Sequence, residues 1–142
     1  MSKIIRVYCS PNSRLYTKVV VCETRKEQFR GIEKIKKLPV AITFGTRRYG
    51  DNGHLLPIFA ETRLLATQID FEVVSHELLH ATFCWVDRKG LKLSDIPESE
   101  YSKTNIGKYM KMKGINVEEE MCHTHGFMVQ QFFEKWCKNY GN

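Results

Sequence analysis

Residues 70–90 constrain the fold more than any other stretch of this chain, with the sequence DFEVVSHELLHATFCWVDRKG. Asp70 is a favoured helix N-cap, and Glu72 in the first turn complements the helix dipole. Apolar side chains then surround the helical wheel almost completely, which is typical of a helix buried in the middle of a domain. The pattern therefore predicts a central, buried helix that ends near residues 87–90.

Two histidines and a glutamate interrupt this apolar pattern, as His76, Glu77 and His80. Residues four apart lie on one face of a helix, so both imidazoles can bind a single ion. Glu77 is rotated from His76 by about 100°, which places it beside such an ion, where a general base belongs. A chance match is expected in roughly one or two of a hundred chains of this composition. Burying these groups without partners is costly, so a metal site is favoured over three hydrogen-bonded core residues.

The rest of the chain predicts a small sheet and further helices. β-Branched runs indicate four strands, and Pro57 in the last of them indicates an edge position. The predicted strands span residues 3–9, 17–22, 40–44 and 54–61. Helical periodicity predicts three other helices, over residues 24–37, 101–112 and 117–140. The chain is thus expected to form one α+β domain over residues 1–142, with a mostly antiparallel or mixed sheet packed on the buried helix and the C-terminal helix.

Composition restricts the setting of this domain. The 142 residues begin without a secretory signal pattern and contain no run of about 18 apolar residues, so we expect no membrane span. Five scattered cysteines do not resemble a disulfide framework, which favours a reducing, cytoplasmic location. The net charge of +6 allows an acidic partner such as nucleic acid, although basic helix faces explain it as well.

The motif HELLH on a buried helix, following a small sheet with an edge strand, resembles the zincin metallopeptidases. Within them the chain is similar to small, often phage- or plasmid-encoded proteins related to the ImmA/IrrE group. The resemblance implies a hydrolase that cleaves peptide bonds in a protein or peptide substrate. It also implies Zn²⁺ as cofactor, His76 and His80 as ligands and Glu77 as general base. The longer metzincin motif requires glycine at position 83 and histidine at position 86, where this chain has Phe83 and Val86.

A catalytic zinc needs a third protein ligand, and the richest source is the stretch NVEEEMCHTHG at residues 116–126. By itself this is a capped helix start, since Asn116 is a good N-cap and acids favour a first turn. Beside HELLH, its acids become candidate ligands. Periodicity places Glu118 near the middle of the apolar face, Glu119 at its border and Glu120 away from it.

Small residues three and seven positions later, Cys122 and Gly126, would allow this helix to approach the HELLH helix beside Glu119. Glu119 followed by a small residue at +3 also resembles the gluzincin motif, so Glu119 is the preferred third ligand and Glu118 the second choice. His123 stands where that motif often has an acid, which weakens the match. With His123 or His125 as ligand, the site would instead resemble SprT-type zincins, which are associated with protein–DNA work.

The sequence suggests roles for several other residues and leaves more than one function possible. Tyr101 and Tyr109 are candidate donors to the substrate oxyanion, and Cys84 is expected to be a buried structural thiol. His54 is expected to be an ordinary surface or strand residue. The predicted edge strand over residues 54–61 could bind an extended substrate. The main alternative to a peptidase is a non-catalytic, zincin-shaped module that binds DNA or a protein. Neither the substrate nor the oligomeric state follows from the sequence.

Overall fold

The computed structural model describes residues 2–32, 39–90 and 117–140, with the backbone but not the side chains of residues 117–119. The chain has an α+β fold with four strands, three α-helices and one short 3₁₀ helix (Ala66–Gln68) in these ranges. In chain order the elements are β1 (Lys3–Tyr8), β2 (Tyr16–Cys22), α1 (Arg25–Gln28), β3 (Ile42–Gly45), β4 (Ile58–Leu65), α2 (Phe71–Arg88) and α3 (Val117–Asn139). The predicted class is therefore confirmed, whereas the predicted helix over residues 101–112, with Tyr101 and Tyr109, lies outside the described residues.

The four strands form one mixed sheet in the order β1-β2-β4-β3. β2 pairs with β4 in parallel, and the two outer pairs are antiparallel. The prediction that the proline-containing strand lies at an edge is wrong, because β4 is interior. Pro57 stands one residue before β4, where its missing N–H costs no ladder bond, and its carbonyl accepts a bond from the Tyr16 N–H. Among the described residues, the short strand β3 is the edge on that side of the sheet.

Helix α2 packs against β3, β4 and α3 and contributes one side to the main core. Its inward residues include Val74, Leu78 and Ala81, which are almost completely buried. The prediction that α2 is buried on all sides is wrong, because its outer face leaves Phe71 68%, Leu79 40% and Phe83 41% exposed. A helical wheel shows which residue types lie on each side of a helix, but not what they contact. The apolar side chains on the outer face of α2 therefore led to a wrong prediction.

Helix α1 is much shorter than predicted. Thr24 caps it by accepting a bond from the Glu27 N–H, but the helical conformation ends at Phe29. Gly31 then adopts a φ of +77°, a left-handed conformation that glycine enters without strain. The apolar periodicity of residues 29–35 continues past this stop, which explains the error. Residues 33–38, the last part of the predicted helix, lie outside the described residues.

The predicted apolar face of α3 is confirmed. Met128, Val129 and Phe132 are buried in the core, and Met121 and Trp136 pack against it. The five cysteines are all free thiols.

Within the described ranges, no helix combines the length and apolar character that a membrane crossing requires.

Candidate metal centre

The two histidines of HELLH lie next to each other on the exposed face of α2. The Asp70 carboxylate caps the helix by accepting a 2.9 Å hydrogen bond from the Val73 N–H. From this start, the helical repeat brings the rings of His76 and His80 together, with centroids 4.9 Å apart and planes at 74°. Their Nε2 atoms are 3.2 Å apart. The expectation that both imidazoles converge on one point thus matches the geometry of α2.

The 3.2 Å separation fits two corners of a zinc site. With ordinary Zn–N bonds of about 2.05 Å, two nitrogens at this distance subtend about 103° at a shared ion. That angle is close to tetrahedral. The same distance also fits a single hydrogen bond, in which one neutral ring donates its N–H and the other accepts. Both arrangements leave the outer side of the pair open to solvent, where a further ligand and a water molecule have access.

The Glu77 side chain is turned away from solvent, and the residue is only 6% exposed. Its Oε2 accepts a 2.6 Å hydrogen bond from the Thr43 hydroxyl on β3. Glu77 and His76 also line one cavity of about 270 Å³, which is bordered by the residues just before β3. The general base expected from the sequence is therefore a buried carboxylate that is fixed to the edge strand beside the histidine pair.

A second, larger cavity lies at the other end of β3. Its volume is about 440 Å³, and Gly45, Phe59, Phe83 and Cys84 are among its lining residues. An edge strand beside the histidine pair thus has one cavity at each end.

Cys84 is half-buried in the wall of this larger cavity. Burial raises the pKa of its thiol, and the negative charge of Asp87 raises it further. The thiol is therefore less ionised than an ordinary cysteine at neutral pH and is a weak nucleophile. This fits the expected structural role, although the thiol is not fully enclosed. His54 is exposed, as expected.

The predicted third ligands lie partly outside the described side chains. The helical backbone of α3 includes Glu118 and Glu119, but their side chains are not described, and Glu120 is exposed. Among the side chains that are described, no three histidine, cysteine or acidic residues come together as a metal-binding group. The choice between Glu119 and Glu118 therefore stays a prediction.

The two histidines of α3 take different positions. His125 contacts α2, and its Nε2 is 3.0 Å from the Ser75 carbonyl, so this nitrogen donates its N–H to the backbone. A nitrogen used in this way is not free to bind a metal. His123 is exposed.

The close helix approach expected at Gly126 is absent. A Cβ built on Gly126 meets no heavy atom within 4 Å, and Cys122 is exposed. Their small size is therefore not required by packing against α2, and this argument for Glu119 is wrong. What remains is the position of Glu119 on the helical wheel and its resemblance to the gluzincin motif.

Sequence reasoning missed the two threonines that connect Glu77 to the sheet, Thr43 and Thr62. The alternation of the strand over residues 40–44 was the available signal, since it directs Thr43 to the face opposite Ile42 and Phe44. Which helix residue meets that face depends on the packing of α2 on the sheet, and the sequence does not specify it.

No protein-family model matches the chain, and no curated protein or solved structure matches it. The evidence for function is therefore the local chemistry of α2, β3 and α3.

Proposed function

We propose that this chain is a zinc-dependent peptidase with zincin-like packing of its sheet and helices. His76 and His80 bind Zn²⁺, with Glu119 as the preferred third ligand, and Glu77 is the general base. The observation that carries the proposal is the pair of Nε2 atoms 3.2 Å apart on an open helix face, one residue away from a buried carboxylate. Histidines in a purely structural role are usually turned towards backbone carbonyls, as His125 is.

The direction of α3 supports a third ligand from its first turns. His125 contacts Ser75, and Phe133 stacks on Phe71 with ring centroids 6.2 Å apart. Later residues of α3 thus meet earlier residues of α2, so the two helices run in opposite senses. The turns of α3 that precede His125 continue towards the part of α2 that carries His80. Glu119 and Glu118 belong to those turns, and for that reason an acid from α3 is preferred to His125.

The chemistry follows from the residues in this cleft. When bound, Zn²⁺ lowers the pKa of a water molecule towards about 7 and polarises the substrate carbonyl. Glu77 takes a proton from the attacking water and passes it to the leaving amine. Its burial restricts the orientation of the carboxylate for this transfer.

The substrate is an extended peptide that adds to the free edge of β3. This strand pairs with β4 on one side, and on its other side no described strand pairs with it. The sequence predicts substrate binding at the strand over residues 54–61. Because that strand lies inside the sheet, β3 takes this role. The 440 Å³ cavity beyond Gly45 has the aromatic rings of Phe59 and Phe83 in its wall, so it suits a bulky apolar side chain of the substrate.

The decisive experiment combines metal analysis with cleavage of a peptide library that is read out by mass spectrometry. Wild-type protein is expected to contain one zinc per chain and to cleave peptides. Glu77→Gln should keep the zinc and lose activity by about 10²-fold or more. The exposed Glu134 provides a matched control, and Glu134→Gln should cleave like wild type. Zinc-free wild-type protein, or a Glu77→Gln variant as active as wild type, would refute the proposal.

A second candidate, a nucleic-acid-binding module with or without protease activity, has one observation in its favour. The sheet carries a cluster of cations around a single buried acid, Glu61, which contacts Lys18, Arg48 and Arg63 at 2.8–4.0 Å. Three cations exceed the charge of one carboxylate and leave a basic surface. DNA binding by zinc-free protein that falls steeply with salt would support this function. No response to duplex or single-stranded DNA would exclude it.

A further inference from the structure

The Glu77 carboxylate has a partner that the proposed chemistry does not use. The Thr43 hydroxyl lies 2.6 Å from Glu77 Oε2 and 3.0 Å from the hydroxyl of Thr62. Thr62 is fully buried on β4, directly opposite Thr43 in the ladder between β3 and β4. A row of two hydroxyls thus leads from the interior of the sheet to the carboxylate on α2.

The direction of these hydrogen bonds is fixed by proton counting. An ionised carboxylate only accepts, and each threonine has one hydroxyl proton. If Thr43 donated to Thr62, or to the Glu77 main-chain carbonyl 3.2 Å away, its own oxygen and Glu77 Oε2 would face each other at 2.6 Å with no proton between them. Thr43 therefore donates to Glu77, and Thr62 donates to Thr43. This arrangement satisfies both hydroxyls and the buried side of the carboxylate.

The contact uses one oxygen of the carboxylate and leaves the other for the cleft. Among the described residues, none forms a hydrogen bond with Oε1 of Glu77, and Glu77 borders the cavity that it shares with His76. A carboxylate held at Oε2 by a hydroxyl of β3 has less freedom to rotate than a free one. Its Oε1 is then fixed with respect to a water molecule near the histidine pair, which is the condition for efficient proton transfer.

We propose that Thr43 is a positioning residue for Glu77, and that Thr62 fixes the orientation of the Thr43 hydroxyl. The consequence for catalysis depends on the proposed peptidase function, whereas the hydrogen bond itself does not. The edge strand then has two roles, since the free edge of β3 receives the substrate and the face of β3 that packs on α2 orients the general base. Misorientation of a reacting group by about 1 Å can reduce a rate by about 10²-fold.

Kinetics of matched variants test the role of Thr43. Thr43→Val keeps the β-branched shape and removes the donor, so kcat should fall by about 10–100-fold, while KM and zinc content stay near wild-type values. Thr43→Ser restores the hydroxyl and should recover most of kcat. Thr17→Val is the control, because Thr17 is likewise a strand threonine, fully buried, but donates to the Ala60 carbonyl and not to Glu77. A Thr43→Val variant with the kcat of Thr17→Val would overturn the proposal.

Thr62→Val tests the second bond and leaves Thr43 in place. A smaller loss of kcat than in Thr43→Val is expected, because Thr43 can still donate but is no longer oriented. If kcat equals that of Thr17→Val, the role of Thr62 is refuted. If Thr43→Val does not fold, Thr62→Val still tests the hydrogen bonds that orient Glu77.

A spectroscopic readout separates this inference from the proposed function. The side-chain carboxyl ¹³C resonance of Glu77, identified by its loss in Glu77→Gln, is compared at a single pH in protein with selectively labelled glutamate. It should move in Thr43→Val and stay in place in Thr43→Ser, whether or not the protein cleaves peptides. An unchanged resonance in Thr43→Val refutes the contact. Wild-type protein without zinc or cleavage refutes the peptidase proposal and leaves the resonance test of the contact valid.

Discussion

Gln28 is a fully buried polar residue whose replacement should destabilise the fold next to the candidate site. Its Nε2 donates to the backbone carbonyls of Val40, at 2.8 Å, and of Arg63, at 3.2 Å, and its Oε1 accepts from Arg25 at 3.0 Å. These bonds connect α1 to β4 and to the chain just before β3. Gln28→Leu keeps the approximate size and removes all three. Each is worth about 1 kcal/mol net, and a buried carbonyl left unpaired costs about 1–3 kcal/mol.

Two effects reduce the destabilisation expected from the loss of these three hydrogen bonds. Arg25 also donates to the Val40 carbonyl and still satisfies it in the variant, and a buried leucine gains apolar contacts. We therefore expect a net loss of about 2 kcal/mol in the free energy of unfolding, and a Tm lower by roughly 6–10 °C for a chain of this length. Urea unfolding measured by circular dichroism is the assay. Gln130→Leu, an exposed change of the same type on α3, should lie within about 0.5 kcal/mol of wild type. A Gln28→Leu variant as stable as Gln130→Leu would refute the reasoning.

Three further predictions concern α2 and its cavity. Asp70→Ala should cost about 1 kcal/mol through loss of the N-cap bond, whereas Asp70→Asn should keep most of it; equal urea midpoints for the two variants would contradict this. Because its pKa is raised by burial and by Asp87, Cys84 should react with iodoacetamide at pH 8 more slowly than the exposed Cys122. Asp87→Asn should speed that reaction, and peptide mass spectrometry that finds no change would show the charge to be irrelevant. If the protein is a peptidase, Phe83→Ala should lower kcat/KM by about 10-fold for substrates with a bulky apolar residue in the larger cavity. An equal effect on substrates with alanine there would count against that assignment.

The sequence predicts local features well where they depend on the chain itself. The start of α2 at Asp70 and the buried face of α3 depend on capping and periodicity, and both agree with the structure. The convergence of His76 and His80 is likewise a property of one helix. These features can be predicted without knowing which elements pack against each other.

The errors arise where the outcome depends on distant partners. The sequence predicts an edge strand around Pro57, but β4 pairs with β2 on one side and with β3 on the other and therefore lies inside the sheet. The sequence also predicts core positions for the outer apolar residues of α2, because composition does not tell which side of a helix meets the sheet. Thr43 was not singled out, since its role appears only when β3 lies beside Glu77.

A titration with Zn²⁺ against a chromophoric chelator tests most directly whether His76 and His80 bind zinc as a pair. Wild-type protein, first stripped of metal, should bind one Zn²⁺ per chain. The His76→Ala/His80→Ala double variant should lose that binding, and Glu119→Gln should weaken it while Glu120→Gln does not. Wild-type protein that binds no zinc, or a double histidine variant that binds it as tightly as wild type, would contradict zinc binding by this histidine pair.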